Sequence, residues 1–267
     1  MIKKILALMM CVMLFACYCK AEPAWTYPIY IRALISDINT LVNKDKPLDE
    51  KYEPHDLVPV KVRKSSSVEM LGRSVAVKAL QDMFAAAEKD GITLYLKSAY
   101  RSYSTQNTMY SNRLEKNKGV DDELVQYPGS SEHQSGLSFD VVNQHYAKAK
   151  GMNAGFFNTN EGKWLDENCA RFGFVIRYPN DKEDITKIKY EPWHIRYLGL
   201  DIANYMLEHD LCHEEFTEEW KAALEAYESE GGTISTAIEY ETRATAPSVT
   251  EQNLENGDTE ISLEFND

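Results

Sequence analysis

The stretch SSEHQSGLSFDVV, Ser130 to Val142, decides how this chain is read. Its second half alternates as a strand does, with Phe139 and Val141 on one face and Asp140 on the other. A carboxylate on a half-buried strand costs stability unless a partner takes up its charge. A metal ion is one such partner, and the chain must then supply further ligands.

Three protein side chains with a fourth position open make a hydrolytic zinc site. His133 and Asp140 are the first two candidates, and Gly136 lets the backbone turn between them. A second segment, KYEPWHIRYLG over 189–199, offers His194 as the third ligand. Glu191 precedes it by three positions, and a carboxylate beside a zinc site is the general base such hydrolysis needs. That spacing has the wrong parity for one face of a strand. With Pro192 in between, it predicts a turn, bulge or helix start from Glu191 to His194. A lone histidine is more often structural than ligating, so His55, His145, His209 and His213, which lack such company, are read as bland. No cysteine lies near either motif, which argues against a closed structural zinc site. Cys169 and Cys212 fall in helix-like stretches and are expected to pack; no spacing argument joins them as a disulfide.

The chain has 267 residues and a formal net charge of −13. That balance gives no electrostatic footprint for nucleic acid and no general pull toward an anionic membrane. Residues 1–21 read as an export signal: Lys3 and Lys4 precede an apolar run too short to span a bilayer. Two processing readings stand, cleavage after Ala21 or a lipobox (LFAC) that would lipidate Cys17. The expected location is extracytoplasmic, secreted or lipid-anchored, with membrane attachment only through that lipid.

Apolar spacing predicts helix around Ile31, Leu34, Ile38, Leu41 and Val42, then over 74–91, 104–119 with Ser104 as N-cap, 158–173, 195–212 and 217–232. Strands are expected over 92–102, 137–142 and 174–178, with a long loop over 119–137. Few, dispersed strands among helices imply an α+β domain with a small, mainly antiparallel sheet, over about residues 27–230. Residues 231–267 are acidic and poor in apolar side chains, and read as a disordered tail.

Three ordered motifs carry a resemblance. SSEHQSGLSFD resembles the S-x-H-x-x-G-x-A/S-x-D motif, and EPWH the E-x-W-H motif, of the VanY-type D-alanyl-D-alanine carboxypeptidases of bacterial cell walls. These belong to the wider group that includes lysostaphin and the hedgehog domain. SAYRSYSTQ, 98–106, is similar to the family's G-Y-R-S-x-x-x-Q stretch, with Ala99 where glycine is common. The resemblance covers about residues 35–210 and implies that group's zinc fold. It implies Zn2+ held by His133, Asp140 and His194, with Glu191 as base and then acid. It also implies Arg101 on the scissile carbonyl, and Ser131 and Gln106 seating the terminal D-alanine. Trp193 is read either as shaping the pocket or as buttressing the core, and Tyr100, Tyr103 and Tyr197 as packing. The implied partner is a peptidoglycan stem peptide, and a monomer is expected. Two alternatives stay open: an L,D-carboxypeptidase on tetrapeptides with the same zinc chemistry, and a non-catalytic wall-binding domain that keeps the zinc.

Overall fold

The computed structural model describes residues 23–121, 125–244, 248–253 and 259–264. The export-leader reading of residues 1–21 lies outside them. Pro28–Ala222 clusters as one compact unit, and the described residues up to Tyr27 and from Ala223 cluster as another.

The larger unit begins with a short helix α1 (Ile31–Leu34) and a 3-10 turn over Asp37–Asn39. A strand pair follows, β1 (Leu57–Pro59) antiparallel to β2 (Leu71–Arg73). Helix α2 (Ser74–Lys89) buries Ala76, Val77, Leu80, Met83, Phe84 and Ala87, the stripe its spacing predicts. Strand β3 (Tyr95–Ser98), helix α3 (Tyr103–Lys116), strand β4 (Ser138–Val142) and the short helix α4 (Gln144–Lys148) come next. They are followed by α5 (Asn160–Asn168), β5 (Phe174–Ile176), α6 (Glu183–Thr186), β6 (His194–Tyr197) and α7 (Leu200–Glu208). Helix α8 (His213–Ser229) runs into the other unit.

A four-stranded antiparallel sheet in the order β3-β4-β6-β5 is the centre of the larger unit. Its apolar face carries Leu96, Phe139, Val141 and Ile195 into one core with the buried stripe of α2. Gly72 in β2 lies so close to this core that a Cβ there would stand 2.8 Å from the Phe139 ring. The fold is thus the α+β class that the dispersed strands imply, with its sheet antiparallel throughout.

Four local expectations give way. Ile31, Leu34, Leu41 and Val42 are buried and Ile38 is partly buried, yet no single helix carries them. The Ser36 side chain accepts from Ile38 N at 3.3 Å and Asn39 Nδ2 donates to the Leu34 carbonyl at 2.9 Å, which ends one turn and starts another. Ser102, not Ser104, caps α3, accepting from Thr105 N at 3.2 Å. Residues 194–197 form a central strand where a helix was expected from 195; Ile195 pairs with both Phe139 and Ile176, and Gly199, at φ 88°, breaks the chain before α7.

The fourth lies in the stretch read as a disordered tail. A helix α9 spans Ile234–Ala244, and β7 (Ser248–Asn253) pairs antiparallel with β8 (Thr259–Glu264). Thr233 Oγ1 accepts from Thr236 N at 3.1 Å as an N-terminal cap, and Ala237 is fully buried. In the same unit Trp25 meets Tyr227 edge to face at 5.4 Å. Among the described residues no helix is long and apolar enough to cross a membrane.

Candidate active site

The β4–β6 ladder places the acid and one histidine opposite each other: Asp140 is the register partner of His194. Both side chains leave the face opposite Phe139 and Ile195, as alternation requires. His133 arrives on a 3-10 turn, Glu132–Ser135, closed by Gly136 at φ 69°. A Cβ at Gly136 would press on Leu57 at 3.0 Å and on Arg73 at 3.1 Å, so glycine serves both conformation and space there. Backbone bonds fix the remaining pieces. Arg101 N donates to the His133 carbonyl at 3.1 Å, and His194 N to the Glu191 carbonyl at 3.0 Å across a turn at Pro192–Trp193.

His133, Asp140 and His194 are all buried, and one ligand atom from each lies within 4.8 Å of the others. Asp140 Oδ2 stands 3.4 Å from His133 Nε2, and Asp140 Oδ1 stands 3.1 Å from His194 Nδ1. His133 Nδ1 lies 2.8 Å from the Ala99 carbonyl, which fixes a proton there and leaves Nε2 as the ligand. This His–Asp–His donor set suits zinc, leaving room for a fourth ligand. Two nitrogens and one carboxylate aimed at one point, with one imidazole nitrogen fixed from behind, are how such a cation is held.

Electrostatics separate the two acids. Burial opposes the charge of Asp140, but the facing imidazoles hold its carboxyl well below the usual range. Burial pushes the Glu191 carboxyl up to about 7, with His194 and Arg101 opposing that rise. Glu191 Oε2 is 3.8 Å from His194 Nδ1, beside the ligand set but outside it. Despite burial, His194 is lifted to about 9 by Asp140, Glu132 and Glu191, whereas burial and Arg101 lower His133. The His194 proton therefore competes with a cation for Nδ1.

A cleft of about 630 Å³ opens over this set. Arg101, Gln106, Ser131, Glu191 and Trp193 all line it with His133, Asp140 and His194, so the candidate catalytic, metal and substrate residues meet there. Arg101 donates to Gln106 Oε1 at 2.5 Å and to Ser98 Oγ at 3.2 Å, which aims its guanidinium into the cleft. Gln106 is engaged at both ends, since its Oε1 holds Arg101 and its Nε2 donates to the Gln126 carbonyl at 2.6 Å. Trp193 is 7% exposed, belongs to the core cluster and also lines the cleft, so both readings of it hold together.

Sequence reasoning missed two groups. Met152, Asn153 and Ala154 form part of the cleft wall from a loop that no motif marks. Tyr178 stacks at a tilt on His194, 5.1 Å between ring centroids, and accepts from Gln126 Nε2 at 3.1 Å. Its one signal was its place at the end of a predicted strand.

Comparison with known proteins gives the same assignment from another side. Residues 70–200 match the VanY family, D-alanyl-D-alanine carboxypeptidase. The Bacillus subtilis protein YodJ is 42% identical over 189 residues, 69% of this chain and 68% of that protein. The solved structure of the LD-carboxypeptidase LdcB is 42% identical with TM-score 0.63, covering 68% of this chain and 86% of that one. A zinc-bound D,D-pentapeptidase VanY is 33% identical with TM-score 0.52, covering 67% of this chain and 97% of that one.

Proposed function

We propose the reaction of this chain from the family it belongs to, the VanY D-alanyl-D-alanine carboxypeptidases: zinc-dependent hydrolysis that removes the terminal D-alanine of peptidoglycan stem peptides. The observation that carries this is the placing of Glu191, a carboxylate 3.8 Å from a candidate ligand nitrogen, 29% exposed, and facing a cleft wide enough for a peptide end.

His133 Nε2, Asp140 and His194 Nδ1 would hold zinc. Zinc, when bound there, polarises the scissile carbonyl and makes hydroxide available near neutral pH. Glu191 takes a proton from the attacking water, which a carboxyl raised by burial does readily near neutrality. It returns that proton to the amine of the departing D-alanine, so the carboxylate is regenerated. The Arg101 guanidinium, fixed by Gln106 and Ser98, faces the charge that develops on the carbonyl oxygen. Ser131 and Trp193, which line the cleft, would seat the terminal residue.

An extracytoplasmic location belongs to the same proposal. Its support is the leader-like composition of residues 1–21 and the place where stem peptides occur. Attachment through a lipid on Cys17 is the form of it that mass spectrometry of the native amino terminus tests.

Likeness to an L,D-carboxypeptidase at 42% identity supports a second reading, trimming of tetrapeptides by the same chemistry. Release of D-alanine from a stem pentapeptide and a tetrapeptide, before and after chelation and after zinc is restored, decides between them. Release from the pentapeptide that zinc restores is the expected result. Preference for the tetrapeptide would make it an L,D enzyme. No release from either with zinc bound would leave a wall-binding domain.

A further inference from the structure

Behind the ligand set lies a buried charge cluster that the hydrolytic reading does not use. Glu132 is fully buried. Its Oε1 accepts from Arg177 Nε at 2.7 Å and from Arg196 Nη1 at 2.8 Å. Arg177 in turn donates twice to Glu214, at 2.7 Å each, so two arginines and two glutamates balance. His213 Nδ1 stands 3.9 Å from the same Oε1. This side of the carboxylate is saturated and fixed in place.

The other oxygen is not. Glu132 Oε2 accepts from Ser138 Oγ at 3.1 Å and faces His194 Nε2 at 3.8 Å. That Nε2 is buried and has no hydrogen-bond partner. A buried N–H without a partner is rare and destabilising, and a carboxylate oxygen with spare acceptor capacity directly before it points to the bond that satisfies both. The two ligand histidines also differ. His133 is fixed through Nδ1 by a backbone carbonyl and presents Nε2, whereas His194 must present Nδ1 and be fixed through Nε2.

We propose that Glu132 is a positioning residue of the metal site: its Oε2 accepts the Nε2 proton of His194 and holds that ring in the tautomer whose Nδ1 lone pair faces Asp140 and His133. The inference rests on the zinc reading of the same site. The gap of 3.8 Å exceeds a hydrogen bond, so the ring must close it once Nδ1 is engaged. Arg177 and Arg196 matter because they keep Glu132 ionised and immobile while it does so.

Two measurements on the full chain test this. Zinc affinity is read by competition with a chromophoric chelator for the unaltered protein and for Glu132→Gln, which keeps the shape and loses the charge. Glu132→Gln is expected to bind zinc about 10–100-fold more weakly. Nitrogen-15 histidine spectra of the zinc-loaded, unaltered protein supply a readout that does not depend on that variant folding. His194 is expected to carry an exchange-protected proton on Nε2, and His133 one on Nδ1. A proton on His194 Nδ1 overturns the inference, as does an unchanged zinc affinity in folded Glu132→Gln. Failure of the unaltered protein to take up zinc overturns the metal reading as well, so the two failures are told apart.

Discussion

Asp140–His194 and Ser138–Arg196 are two rungs of the same β4–β6 ladder with Phe139–Ile195 between them, about 7 Å apart and on the same face of the sheet. The first rung opens on the cleft, and its carboxylate is surrounded by groups that compete for it: His133, His194 and, close by, Arg101. The second rung is sealed. Arg196 is 0% exposed, gives two bonds to the carbonyls of Ile38 and Thr40 at 2.8 Å each, and meets Glu132 at 2.8 Å. Both rungs are polar and share one face, so polarity alone does not differ between them. Completeness of pairing does: charges fully met by protein partners lock the backbone, and charges left with spare valence can hold a cation or move a proton.

The largest expected effect falls on the sealed rung. Arg196→Met removes one partner of a buried carboxylate and leaves the two carbonyls unpaired, so urea unfolding should show a loss of about 3–5 kcal/mol. A loss below about 1 kcal/mol, the range of surface ion pairs, would show that the two rungs are not different in kind. Arg101→Ala on the open side should leave unfolding stability nearly unchanged. It should lower kcat about 100-fold with zinc content retained. A change confined to KM would place Arg101 in ground-state binding instead.

The smallest effect sharpens the sealed side by pH. Burial, helped by Arg196 and Arg177 and opposed by Glu132, pushes His213 down to about 4, and its Nε2 lies 3.2 Å from Asn39 Oδ1. The folded state therefore refuses a proton that the unfolded chain accepts below its ordinary value near 6.5. Stability from this group is present above that value and is lost as pH falls, by about 2 kcal/mol between pH 7 and 5. His213→Gln should flatten that part of the stability curve. An unchanged slope would assign it to other groups.

The open rung was legible in the sequence because its residues break local rules. Asp140 interrupts an apolar alternation, and Glu191 and His194 flank a proline where a strand begins. Ser138 and Arg196 sit at the polar positions of the same alternation, where small and long polar residues are ordinary. The partners that make them special are distant: Glu132 is 45 residues from Arg177 and 64 from Arg196. No local pattern announces such a pairing.

The fold misses have local causes. Ser102 and Ser104 both fit a cap, and only the bond to Thr105 N chooses between them. The apolar residues of 31–42 are spaced for a helix, but Ser36 and Asn39 spend their side chains on the backbone. Ile195, Arg196 and Tyr197 fit either state, and only their place between β4 and β5 makes them strand. Helix α9 was hidden by the acidic composition around it, though Thr233 and Ala237 carry its cap and its buried side.

We propose that Glu191 moves the proton while the open rung holds the cation. It is tested most directly by D-alanine release from a stem pentapeptide by zinc-loaded Glu191→Gln beside the unaltered protein, with zinc content measured on both samples. We predict equal zinc content and a loss of release of about 100-fold or more, the scale of a general base. Equal zinc with undiminished release would contradict the account.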